Sequence, residues 1–211
     1  MYLPPQFKSS ERALAAALMR AHPFASLVSV DDDGLPFVTH IPLVLEDRAA
    51  AGEADAQFVL LGHVAKPNPH WRYLQARPRA VVTFLGPHAY LSPSVYPDLA
   101  RVPTWNYLVA HAYGTPRVVD DEDRVRAGLR ALVAEHEAAF DDPWPMDLGD
   151  DYLRKMVRGI VAFEIPIARL EGKFKLSQNR SPADRARVIA ALAESDDPSA
   201  RGVGERMRTN I

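Results

Sequence analysis

Residues 62–71 read GHVAKPNPHW and follow the apolar run Phe58-Val59-Leu60-Leu61. The stretch sets a His, a Lys, an Asn between two prolines and a Trp within ten residues. With Asn68 as N-cap and Pro69 as first helical residue, a helix opens inside it. Its free N–H groups and positive dipole end favour an anion. Lys66 adds a full charge, His63 a donor and Asn68 an amide, a set suited to a terminal phosphate. The alternative is a capped turn with Lys66 in solvent and His63 on a backbone carbonyl.

Two further clusters carry chemistry. Residues 102–114, VPTWNYLVAHAYG, open with Thr104, Trp105, Asn106 and Tyr107. Flat apolar faces with a few polar groups describe a ring pocket. Equally, Trp105 and Tyr107 share a face by alternation and would serve as core. Residues 173–181, KFKLSQNRS, crowd Lys175, Gln178, Asn179 and Arg180 ahead of a capped helix. The plain alternative there is a solvated basic loop. His40, His63, His88 and His111 are candidates for proton transfer near neutral pH, and the sequence singles out none as a catalytic acid or base. His63 and His70 lie seven apart, unlike the i, i+4 pair of a helical zinc site.

Several classes are excluded or disfavoured by composition. With no cysteine among 211 residues, disulfides, thiol catalysis and thiolate metal sites are absent. No stretch approaches the roughly 20 apolar residues of a bilayer span, and the first residues lack a secretory layout. A cytoplasmic, bacterial-type protein is expected. The formal net charge of −2 gives no support to direct DNA binding, which favours a basic patch.

The elements that must position these clusters alternate between strand and helix patterns. A helix is expected from Ser9 or Ser10 to Arg20, then a strand over 24–30, a turn at Asp33-Gly34 and a return strand over 35–45. Residues 48–57 read as a loop and 58–62 as a strand. The helix opening in the motif ends near Ala76. Strands follow over 79–85, resuming at 89–91, and over 104–118. Asp120 or Asp121 caps a helix to about Ala139, 150–157 is a short helix and 159–167 a strand. Ser181 caps the last helix. Strands outnumber helices and the early ones join by hairpins, which predicts an antiparallel barrel with peripheral helices. One domain over residues 1–193 with a tail over 194–211 is expected.

In combination, GHVAKPNPHW, GPHAYLSPSVY (86–96), VPTWNY and KLSQNRS resemble the PaiB-type FMN-binding negative transcriptional regulators. These are a branch of the FMN-binding split-barrel superfamily that includes pyridoxine-phosphate oxidase. The resemblance runs from Met1 to about Leu192. It implies a mainly β split barrel with peripheral helices, a homodimer and two FMN sites at the interface. Thr39 and His40 on the strand 37–43 would border the flavin ring, and His63, Lys66 and Asn68 would hold the phosphate. Trp105 and Asn106 would approach from the partner subunit, and Lys175, Gln178 and Arg180 would close over the cofactor. It departs from the family at Lys66, where Arg is frequent, and at Val95-Tyr96, where an aromatic pair is usual. The implied role is regulatory or a flavin-dependent oxidoreduction of a small molecule. Direct DNA regulation and a haem-binding split barrel are the alternatives.

Overall fold

The computed structural model describes residues 1–9, 12–48, 58–98 and 101–209. Ser10 and most of the expected 48–57 loop lie outside the described residues. The strands are β1 (Lys8–Ser9), β2 (Phe24–Val30), β3 (Pro36–Pro42), β4 (Val44–Asp47), β5 (Phe58–Ala65), β6 (Ala80–Leu91), β7 (Thr104–Gly114), β8 (Arg117–Val119) and β9 (Ile160–Lys175). The helices are α1 (Arg12–Ala21), α2 (His70–Ala76), α3 (Glu122–Glu137), α4 (Asp150–Val157), α5 (Pro182–Ala193) and α6 (Pro198–Arg208). The strands make one sheet in the order β3-β2-β6-β7-β9-β5-β4, with β1 and β8 pairing β9 off this path. The sheet is not closed.

The chain divides into two compact units, one of Pro23–Thr83 and Ala112–Arg169, the other of Met1–His22, Phe84–His111 and Leu170–Ile211. In the first, β2 and β3 form a hairpin in register from Phe24↔Pro42 to Val30↔Pro36. Its turn is held by the Asp31 carboxylate, which accepts from the Asp33 and Leu35 N–H groups. Gly34 supplies the positive φ of 80° that the turn requires. β5 pairs antiparallel with β4 on one side and β9 on the other, running from Val59↔Pro166 to Ala65↔Ile160. α3 starts at Asp121, whose side chain accepts from Arg124 N–H. Its Ala131 and Leu132 pack on Val44, Val59 and Leu61. Arg124 then makes a two-pronged bond to Glu46 at 3.0 and 2.6 Å, tying α3 to β4.

In the second unit β1 pairs β9 at Lys8↔Lys173. Leu18, Met19, Phe84, Leu108, Leu176, Val188, Val203 and Met207 are buried there. α5 is capped by Ser181, which accepts from Asp184 N–H. α6 occupies residues in which the sequence shows no motif. It packs on α5 so closely that a Cβ at Gly204 would lie 3.2 Å from Leu192 Cβ.

Several boundaries differ from expectation for local reasons. The 35–45 strand is two strands, because Leu43 turns its N–H to the Pro23 carbonyl. The 104–118 strand ends at Gly114 and resumes at Arg117, across Pro116, which has no N–H to give a ladder. Gly86-Pro87 does not interrupt β6; a Cβ at Gly86 would come within 2.6 Å of Leu18 Cδ1, so close packing accounts for that glycine. β5 runs three residues beyond Gly62, and β9 runs on to Lys175.

Candidate functional site

The turn between β5 and α2 presents Lys66. Its N–H donates to the Gly159 carbonyl at 2.8 Å, and its own carbonyl accepts from Trp71 Nε1 at 3.1 Å. The backbone is therefore fixed while the ammonium is exposed, and among the described residues it makes no ion pair or hydrogen bond. Lys66 lines a cleft of about 350 Å³, open to solvent, with Trp71, Gln75, Val125, Arg158 and Ile160. That lies within the roughly 300–1,000 Å³ typical of cofactor sites. Arg158 is likewise exposed and unpaired among the described residues. Asp120 and Glu122 are on the same wall, and Glu122 is engaged by Arg126 at 2.5 Å.

The other residues of the opening motif do different work. α2 is a seven-residue helix with Pro69 in the cap position, too short for its dipole to hold an anion on its own. Asn68 Oδ1 accepts from His70 N–H at 3.0 Å, and its Nδ2 donates to Thr39 Oγ1 at 3.3 Å. The amide, expected on a phosphate, is thus spent at both ends, its oxygen inside the turn and its nitrogen on β3. Thr39 is also bonded to His70 Nδ1 at 2.7 Å, and His70 Nε2 to Ser29 Oγ at 3.0 Å. His70 is fully buried beneath the edge of Phe37. Burial pushes its pKa down to about 4, so the ring is neutral and couples β2, β3 and α2. Thr39 and His40, both expected along a flavin edge, lie on opposite faces of β3 by alternation. Thr39 is half-buried, while His40 is exposed and bonded to Ser26 Oγ at 2.9 Å.

His63 does not line the Lys66 cleft. It enters a narrow apolar cleft under α3 with Leu61, Gly62, Gly128, Leu129, Leu132 and Phe163. Burial lowers its pKa, and its ring has no hydrogen bond among the described residues. Val119, Val125 and Ala162 line both clefts, so the two are neighbours with a shared wall. The reason for the separation is strand length. β5 continues through Ala65, so period two applies at His63.

The remaining candidates belong to the second unit. Trp105 is half exposed and meets Tyr90 edge to face at 5.8 Å, an aromatic surface open to a ligand or partner. Asn106 is 1% exposed. Its amide donates to Ser177 Oγ and Met207 Sδ and accepts from Ser177, so it holds the loop after β9 rather than facing a ring. Lys175 Nζ donates to Thr104 Oγ1 at 2.5 Å, and desolvation lowers its pKa, with Lys173 and Arg180 adding to that. Gln178 closes its own loop, donating to the Phe174 carbonyl and accepting from Leu176 N–H. Arg180 stands 5.5 Å from the Tyr96 ring centre. Of Lys175, Gln178 and Arg180, then, the first two are spent on internal bonds.

The sequence reading missed Arg158, Gln75 and the Ser29–His70 pair. No local signal marks Arg158; only the pairing of Ala65 with Ile160 brings it beside Lys66. No cluster of three metal-ligating side chains occurs among the described residues, and none of their helices is long and apolar enough to cross a membrane.

A mainly antiparallel, unclosed sheet of this order with peripheral helices defines a protein of the split-barrel class, here with a cleft that carries two cations unpaired among the described residues. Solved structures show the same fold: the FAD and heme binding protein from Mycobacterium smegmatis (TM-score 0.59, 18% identity, 93% of this chain and 96% of that one) and the flavocytochrome Anf3 from Azotobacter vinelandii (0.55, 15%, 85% and 75%). The family described as "Putative FMN-binding domain" matches residues 1–169. "Protease synthase and sporulation protein PAI 2" of Bacillus subtilis is 32% identical over 212 residues, covering 100% of this chain and 98% of the relative. The chain belongs to this PaiB-type FMN-binding family, and FMN is the family's cofactor.

Proposed function

We propose that this chain holds the FMN phosphate at Lys66, in the cleft bounded by Trp71 and Arg158, as a homodimeric flavoprotein acting on a small molecule. The carrying observation is the fixed backbone and unpaired ammonium of Lys66 in a cleft of cofactor size. The donor set fits the group: the Lys66 ammonium for the phosphate, the Gln75 amide and the Trp71 ring as a flat apolar wall. Bound flavin supplies the electron transfer. The protein's part is to orient it and to set the charge around it. Lys66 neutralises the phosphate, and the Asn68–Thr39–His70–Ser29 chain keeps the turn in place. The exposed Trp105–Tyr90 surface supports a second subunit covering part of each site. A regulatory effect would then follow from flavin-linked metabolism rather than from contact with DNA.

The test is a titration. Wild-type protein incubated with FMN and desalted is expected to retain the flavin absorption bands. Lys66→Ala should weaken FMN by about 1.5–3 kcal/mol, as for a lost charged hydrogen bond. An unchanged affinity would reject the assignment.

A further inference from the structure

We propose that Arg158 is a second phosphate-binding cation, acting with Lys66 on the FMN phosphate. The proposal rests on the assignment of the phosphate to the Lys66 cleft.

Backbone bonds set the two side chains together. Lys66 N–H donates to the carbonyl of Gly159, the residue after Arg158, and the next ladder pair is Ala65↔Ile160. Arg158 is itself anchored as the cap of α4, its N–H donating to the Arg154 carbonyl at 3.2 Å. Position is therefore fixed at the main chain, while the guanidinium is left without a partner among the described residues. Both side chains line the same cleft.

The charge balance of the cleft favours a second cation. The cleft's ionisable walls are Lys66 and Arg158 against Asp120 and Glu122. Without Arg158 the formal sum would be one positive and two negative charges, a net −1 that opposes a phosphate dianion. With Arg158 the sum is zero, and Arg126 on Glu122 tips the local balance positive. The two cations also differ in kind. Lys66 is a compact point charge, whereas a guanidinium fork can take two phosphate oxygens at once.

A cation at a helix C-terminus is favoured by the dipole alone, so the test must separate ligand binding from helix stability. Wild type, Arg158→Ala, Arg158→Lys and Lys66→Ala are each titrated with FMN and with riboflavin, which lacks the phosphate, and their thermal midpoints are recorded. Arg158→Ala is expected to weaken FMN by about tenfold and leave riboflavin unchanged, with Arg158→Lys between it and wild type. Equal losses for FMN and riboflavin would overturn the proposal, because a phosphate contact cannot act on riboflavin. Unchanged FMN affinity in Arg158→Ala with a loss in Lys66→Ala would overturn the role of Arg158 and keep that of Lys66. No FMN-specific loss in either variant would remove both assignments.

Discussion

His70 shows how much can hang on a single uncharged ring. Its two nitrogens are bonded to Thr39 and Ser29, and the ring is buried away from the water that would solvate a charge. The folded pKa of about 4 lies below the ordinary 6.5. Between those values the unfolded chain takes up a proton that the folded chain does not. This ring therefore adds no pH dependence above 6.5, stability falls as pH drops from 6.5 towards 4, and the loss levels off below that. The total is up to about 3 kcal/mol for the full shift. Denaturant midpoints measured across this range should show the slope, and a His70→Gln variant should flatten it. A slope that survives the substitution would place its origin elsewhere. Lys66, by contrast, is exposed and contributes little to stability, so its replacement should show in ligand affinity alone.

At the scale of elements, two glycines of one unit give opposite expectations. A Cβ at Gly128, in mid-α3, would have its nearest neighbour at 4.0 Å, the Leu61 Cδ1 atom. Gly128→Ala should thus stabilise by about 0.5–1 kcal/mol, since only helix propensity changes. A Cβ at Gly114, where β7 ends, would clash with the Pro166 carbonyl oxygen. That neighbour is backbone and cannot swing aside, so Gly114→Ala should cost more than about 2 kcal/mol. Urea midpoints of both variants would check the pair. Such contrasts mark what was legible in sequence. The hairpin at Gly34, the caps Asp121 and Ser181 and most strands follow from turn chemistry, capping and alternation. Strand ends do not, because they depend on partners remote in sequence. Taking β5 to stop at Gly62 put His63 and Lys66 in one socket, whereas three more strand residues send His63 under α3. Asn106 and Gln178 were read as ligand groups because amides are equally suited to binding and to closing loops. Only packing decides between those roles. Arg158 was invisible for the same reason: its neighbour stands 92 positions away (158 − 66).

For the whole molecule, the way the chain visits its two units matters most. It passes between them four times, after His22, Thr83, His111 and Arg169. The last three passages fall inside β6, β7 and β9. No linker separates the units at these points, and each unit needs segments distant in sequence. A single unfolding transition is expected, with far-ultraviolet and tryptophan signals coinciding. Two resolved transitions would contradict it. Sedimentation of the FMN-loaded protein should show a dimer carrying two flavins, and a monomer would remove the interface from the proposed function. The shared strands also bear on ancestry. Recombination exchanges contiguous stretches of gene, and no single cut would lift one unit out whole. No single crossover can therefore carry over the whole cation-bearing cleft without the aromatic surface of Trp105 and Tyr90, which lies between its two halves in sequence.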